Sequence, residues 1–173
     1  MQIRTVTKND YHEIDKLIRE AFTDTAHGYG GEAELVDKIR ESDSYISDLE
    51  VIASEDDQII GYGLLSKVNI LNENNTFSGL VLAPLAVLPK YQRTGAGKSM
   101  INELEARAKK HNYRFISILG HPDYYPKFVY LPASKFHVNA PFSVPDEAFM
   151  IKPLYTGALD GIRGMIKYSK AFE

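Results

Sequence analysis

The sequence predicts a mixed α/β fold in the α+β sense, one mostly antiparallel sheet flanked by helices, and three observations carry that expectation. Near the N-terminus Ile14, Leu17, Ile18, Ala21 and Phe22 follow one another at helical spacing, the apolar stripe of a surface helix. Residues 49–53 and 59–68 are two apolar, β-branched runs joined by the acidic turn Glu55-Asp56-Asp57-Gln58, which reads as a hairpin. The apolar run 79–88, a helical stretch 98–111 and the short apolar run Phe115–Leu119 then make a strand–helix–strand crossover. A crossover of that kind joins parallel strands and lays its helix across the sheet.

Taken in order, residues 2–6 read as a short strand, and Thr7 to Asp10 supply the polar chemistry that opens a helix. The first helix stops at Gly28-Tyr29-Gly30-Gly31. A second, 32–40, carries Leu35, Val36 and Ile39 on one face. The helix at 98–111 turns Ile101, Leu104 and Ala108 inward and closes on Lys109-Lys110-His111, with Asn112 as its stop. A Tyr- and Pro-rich segment, 122–132, leads to β-type residues around 135–139 and 147–152, and residues 156–173 are expected to wrap the surface. No repeat or linker divides the chain, so 1–173 reads as one domain, with a core at 1–155 and a C-terminal extension at 156–173.

Composition narrows the function classes. With 44% hydrophobic and 25% charged residues the chain belongs among globular proteins. It contains no Cys, which closes disulfides, thiolate metal sites and any catalytic thiol. A net charge of −3 argues against a general nucleic-acid binder, and the local basic clusters at Lys90 to Lys98 and Lys109-Lys110 suit one anionic small molecule better than a polyanion. No apolar run is long enough to cross a bilayer, and Met1-Gln2-Ile3-Arg4 lacks a signal-peptide core, so no membrane partner and a cytoplasmic location are expected. His12, His27, His111 and His137 show no ligand spacing, and no metal is expected. A monomer and a homodimer fit equally.

The chemistry sits between residues 85 and 99. The strand end Leu85-Ala86-Val87-Leu88 runs into Pro89-Lys90-Tyr91-Gln92-Arg93-Thr94-Gly95-Ala96-Gly97-Lys98-Ser99, with a helix directly behind. Two glycines let the backbone turn tightly and present several N–H groups at the helix N-terminus. Those donors and the positive end of the helix dipole favour a diphosphate, and Arg93 and Lys98 add charge. Gly97-Lys98-Ser99 resembles the end of a nucleotide-binding P-loop, but that motif needs glycine at position 92, where this chain has Gln92. By themselves Gly95 and Gly97 are equally consistent with a tight strand–helix connection.

The stretch Val87 to Gly97 closely resembles the acetyl-CoA-binding motif of the GNAT acetyltransferase superfamily: an apolar strand, Pro-x-Tyr-Gln, then Gln/Arg-x-x-Gly-x-Gly/Ala and a helix. The resemblance extends over residues 1–155 and, at Glu32, to one bacterial subgroup of predicted N-acetyltransferases. It implies a sheet whose parallel strand pair is splayed into a V, with acetyl-CoA as cosubstrate. Backbone groups of Leu85, Ala86 and Val87 would pair with the pantetheine arm, and Gln92, Arg93, Thr94, Gly95, Ala96, Gly97 and Lys98 would cradle the diphosphate. A bulge near Pro84 to Leu85 would start the splay and free an N–H for the thioester carbonyl, although Pro84 alone fits an ordinary kink equally well.

Direct acyl transfer to an amine needs a base for the ammonium and an acid for the departing thiolate. Tyr124-Tyr125-Pro126-Lys127-Phe128-Val129-Tyr130 resembles the family's Tyr-x-Lys/Arg-x-Gly-Phe segment, which makes Tyr125 the candidate general acid, with Tyr124 as substitute. Val129 and Tyr130 stand where that pattern has Gly and Phe. Glu32 is the candidate base and His121 a possible relay, although each also has a plain structural reading, as a helix first-turn acid and as a strand-end histidine. Tyr29, Phe77, Phe142 and Phe149 are bulky enough to line an acceptor pocket and equally suited to core packing. An N-acetyltransferase acting on a primary amine is the reading, with a non-catalytic acyl-CoA-binding module on the same scaffold as the alternative.

Overall fold

The computed structural model describes residues 1–173. Strand β1 (Gln2–Thr5) passes into helix α1 (Tyr11–Thr23) through a capping box. The Thr7 N–H donates to Asp10 Oδ2 at 2.8 Å, and Arg4 Nη1 and Nη2 donate to the two oxygens of the same carboxylate, each at 2.8 Å. The Arg4 contact, with the Thr7 N–H, holds the Asp10 carboxyl at about 2, below its usual 3.8. The predicted stripe is the buried one: Ile14, Leu17, Ile18 and Ala21 face inward, each of the larger side chains stabilising by about 1.5–3 kcal/mol. Helix α2 (Glu32–Arg40) buries Ala33, Val36 and Ile39, carries Glu32 and Glu34 in its first turn and Lys38 and Arg40 in its last, in the sense its dipole favours.

Strands β2 (Glu50–Glu55), β3 (Gln58–Asn72), β4 (Asn75–Val87), β5 (Phe115–Leu119), β6 (Leu131–Pro132), β7 (Val138–Asn139), β8 (Phe149–Pro153) and β9 (Gly164–Lys167) complete a nine-stranded sheet ordered β1-β2-β3-β4-β5-β8-β6, with β9 on β3 and β7. Pairing is antiparallel except for β4–β5 and β7–β9. Helices α1 and α2 cover one face, where they meet Ile52, Tyr62, Leu64 and Ala86. Helix α3 (Ala96–Lys110) covers the other through Met100, Ile101, Leu104 and Ala108, as its spacing predicted.

The longest strands outrun the sequence reading. The runs 59–68 and 79–88 are parts of a hairpin that extends to Asn72 and back from Asn75, because Lys67, Asn69 and Leu71 face outward while Val68 and Ile70 between them are buried, the alternation of a strand with one wet face. Helix α3 opens at Ala96, two residues before the predicted start, since Gly95 at φ 96° already supplies its N-cap turn. Residues 156–173 do not simply wrap the surface. They supply β9, and Leu159, Ile162 and Ile166 are buried against Val68, Ile70 and Phe149.

Two features position the site. Glu50, fully buried on β2, accepts from Arg40 Nη2 at 2.6 Å and Nε at 2.9 Å, from the Tyr62 hydroxyl at 2.8 Å and from Tyr45. The Arg40 guanidinium also lies 3.6 Å from the Tyr11 ring centre, so one carboxylate ties α1, α2 and the sheet together. Truncating one partner of such a buried pair costs about 3–5 kcal/mol. Secondly, β3 pairs Gly63 with Leu85 but Leu65 with Leu82, so β4 spends three steps where β3 spends two. The extra residue lies at Ala83-Pro84, the expected bulge. Pairing of β4 with β5 is confined to Leu80 with Ile116 and Val81 with Ser117, immediately before it. Beyond that point the parallel strands part. No helix is long and apolar enough to cross a membrane.

Candidate active site

A cleft of about 1050 Å³ opens where β4 and β5 separate. Leu85 and Val87 of β4, then Gln92, Arg93, Gly95, Gly97 and Lys98, line one wall, and Tyr124, Tyr125, Lys127 and Phe128 the other. The loop keeps its shape through local bonds: Gln92 Nε2 donates to the Val87 carbonyl at 3.3 Å, Thr94 Oγ1 to the Tyr91 carbonyl, and the Tyr91 hydroxyl to Gln58 at 3.1 Å. Arg93 at φ 64° and Gly95 at φ 96° both take the left-handed conformation. Six consecutive N–H groups, from Arg93 through Lys98, find no acceptor in the protein, and the first bond of the turn is Ser99 N–H to the Gly95 carbonyl. Aligned donors at a helix N-terminus suit a diphosphate.

Gly97 explains its own identity. A Cβ there would lie 2.5 Å from the Tyr124 hydroxyl, so the glycine lets that phenol close over the front of α3. Ala96 is buried, and the Thr94 hydroxyl is taken by the Tyr91 carbonyl, so both offer backbone N–H groups rather than side chains. Ala86 is different. The Leu88 N–H donates to Ile60 on β3, so alternation along the strand turns Ala86 toward β3 and Leu85 and Val87 toward the open edge. The Ala86 side chain packs under α1 and α2. Of the three strand residues read from the sequence, Leu85 and Val87 present the free edge.

The Tyr125–Phe128 segment is a single 3₁₀ turn with Pro126 as its second residue, within the first turn, where a missing N–H leaves no helical bond unmade. Val129 closes it at φ 70°, ψ 24°, so the glycine-type turn is retained although a β-branched residue occupies it. The ring of Tyr125 packs edge-on against Tyr124 at 5.1 Å and Tyr130 at 6.1 Å. Tyr130 donates to Glu105 of α3 at 3.0 Å, and Lys152 of β8 donates to the same carboxylate at 2.9 Å, which fixes the base of the aromatic ladder. Burial, with the neighbouring Tyr124, pushes the Tyr125 phenol well above its ordinary value, and burial raises Tyr124 also.

Glu32 lines the far side of the cleft with Phe22 and Leu35, and one of its carboxylate oxygens accepts from the Gly30 N–H at 2.8 Å. Glu34 is held away by Arg19 at 3.0 Å and by the Tyr29 hydroxyl. His121 lines the cleft, largely exposed. Sequence reasoning missed Leu82, Ala83 and Leu119 at the throat, and Phe22 and Leu35 on the helices. The bulge at Pro84 was the available signal for the first two. Tyr29 and Phe77 do not line the cleft, and Phe149 belongs to the core, whereas Phe142 faces a second chamber beyond the throat. No group of three or more His, Cys, Asp or Glu side chains is placed to hold a metal ion.

Residues 11–125 match the model of the acetyltransferase (GNAT) family. The chain is 31% identical over 174 residues to the uncharacterised N-acetyltransferase YhbS of Escherichia coli, covering 100% of this chain and 99% of that protein. The crystal structure of YhbS in complex with CoA superposes with a TM-score of 0.88 at 28% identity, covering 99% of this chain and 91% of that one. A GNAT family acetyltransferase of Brucella melitensis in complex with acetyl-CoA gives 0.79 at 26%, covering 99% and 97%. The splayed strands, the open nest of amides and these relatives agree, and the chain belongs to the GNAT acetyltransferase family.

Proposed function

We propose that the protein is an acetyl-CoA-dependent N-acetyltransferase that moves the acetyl group directly onto a primary amine. The observation that carries this is the row of acceptor-free amides from Arg93 to Lys98 at the mouth of a cleft whose other wall is Tyr125. Two relatives that match along nearly their whole length are described with CoA or acetyl-CoA bound.

In this reading the diphosphate lies on the amides of Arg93, Gly95, Ala96, Gly97 and Lys98, Gln92 and Thr94 hold the loop, and Arg93 and Lys98 contribute charge. The pantetheine arm completes the sheet along Leu85 and Val87, the edge that β5 leaves unpaired, which brings the thioester to the bulge. The amine nitrogen attacks the thioester carbonyl carbon. As the tetrahedral intermediate collapses, the C–S bond breaks, the sulfur takes a proton from the Tyr125 hydroxyl, and the nitrogen, which carries one proton too many for an amide, returns one to the phenolate through water. The ammonium proton leaves beforehand through Glu32, His121 or water. A raised phenol suits the acid role, because it stays protonated throughout the range in which amines become nucleophilic.

Acetyl-CoA titration and transfer assays on Tyr125→Phe test the proposal. Binding retained with transfer lost supports it. Binding by wild type with no transfer to any amine in a broad panel would favour the non-catalytic acyl-CoA-binding module.

A further inference from the structure

A second chamber, of about 650 Å³, lies beyond the throat and meets the cofactor cleft at Leu82, Ala83 and Leu119. It is built by the C-terminal segment against the splay: Met165, Ile166 and Tyr168 on one side, Leu71 and Val81 on the other, and Phe142 at the rim. The Phe142 ring stacks on Tyr168 at 6.1 Å and 11°, and Tyr168 leans on Phe172 at 5.1 Å. Eight large hydrophobic side chains are exposed on the protein, and four of them, Leu71, Leu119, Phe142 and Met165, converge here. Contiguous exposed apolar surface marks a binding site, and the volume is that of a small-molecule pocket.

We infer that this chamber takes the apolar body of the acceptor, and that the acceptor is a small primary amine carrying an aromatic or branched aliphatic group. The inference rests on the transferase reading, which needs an amine at the throat. An amine whose ring lies between Phe142 and Met165 would direct its nitrogen toward Ala83, where the thioester arrives from the opposite side. The wall chemistry excludes polycationic acceptors. The chamber has one acidic side chain, Glu173, and one basic one, Lys167, whereas a polyamine or aminoglycoside needs several carboxylates to replace its hydration. A long acyl chain is the competing occupant, but it would fill the space that the nucleophile's body requires.

The test is calorimetric binding of phenethylamine and of spermidine to the CoA-loaded protein, followed by acetyl transfer to each. Phenethylamine should bind about tenfold or more tightly than spermidine. Phe142→Ala should weaken phenethylamine about tenfold and leave CoA affinity unchanged. Met165→Glu, an exposed position on β9, should move preference toward spermidine. Equal binding of the two amines, or no effect of Phe142→Ala on phenethylamine, overturns the inference. So does an effect of Phe142→Ala on octanoyl-CoA in place of the amine, or a dimer that Met165→Glu dissociates without phenethylamine binding. Phenethylamine bound as expected, with no acetyl transfer to it or to any amine of a broad panel, would sink the transferase reading and the acceptor assignment with it. Transfer to other amines with phenethylamine ignored would sink the acceptor assignment alone.

Discussion

The two chambers that meet at Leu82, Ala83 and Leu119 are made in opposite ways. The cofactor side is built largely from one contiguous stretch, residues 85–98, and much of its recognition comes from backbone. The chamber beyond the throat is gathered from β3, β4, β5, the 141–142 loop and the C-terminal segment, and its walls are mostly apolar side chains. Backbone amides can grip a diphosphate whatever the neighbouring side chains are, so a local motif suffices there. An apolar pocket depends on which side chains the fold brings together, and no local pattern encodes it. Cofactor use is therefore readable from the sequence, whereas an acceptor pocket can be sought only in the assembled fold.

The sharpest way to break this contrast is Gly97→Glu. Its Cβ would meet the Tyr124 hydroxyl and its carboxylate would oppose the diphosphate, so CoA affinity should fall about a hundredfold or more in a protein still folded by circular dichroism. Retained affinity would mean that the amides are not the grip. Next, Tyr125→Phe should lower kcat on the order of a hundredfold while the Kd for acetyl-CoA stays unchanged. In wild type the pH profile of kcat/KM should rise as the amine loses its proton. Because burial raises the Tyr125 phenol above 10.0, no descending limb should follow below that pH. A limb near neutrality would assign the acid elsewhere.

Asp10 sets the lower pH limit for any such comparison. Its folded carboxyl titrates at about 2 against an ordinary 3.8, so its stabilisation is present above about pH 4 and is lost as pH falls through 2. Asp10→Asn should cost on the order of 2 kcal/mol at neutral pH and flatten the acid limb of the stability curve, as read by urea melts. The smallest effect is Val129→Gly. Relieving a β-branched residue at φ 70° should add about 1 kcal/mol and leave transfer intact, if the turn that carries Tyr125 depends on shape alone.

Legibility followed the range of the physics. The α1 stripe, the crossover and the nest at Gly95 and Gly97 are written at spacings of a few residues, and the structure places them as read. The edges of β3 and β4 were not legible, because Asn69 looks like a turn residue until its neighbours Val68 and Ile70 are known to face the core. Nor was β9, since Gly164–Lys167 has little strand signal of its own and is held by Asn69, Ile70 and Leu71 across the sheet. Ala86 illustrates the limit within the motif itself. Sequence order groups it with Leu85 and Val87, and only the bond from Leu88 to Ile60 reveals that it faces the other way.

One surplus residue in β4 has a consequence larger than its size. With Gly63 opposite Leu85 and Leu65 opposite Leu82, removing either Ala83 or Pro84 would restore equal step counts on the two strands. The following strand could then zip up alongside, closing both cavities at once while every amide of the nest and every ring of the far pocket remained in the chain. Catalytic capacity in this scaffold thus hangs on a tally of peptide units at a single place, and a shortened variant should be sturdier than its parent and inert.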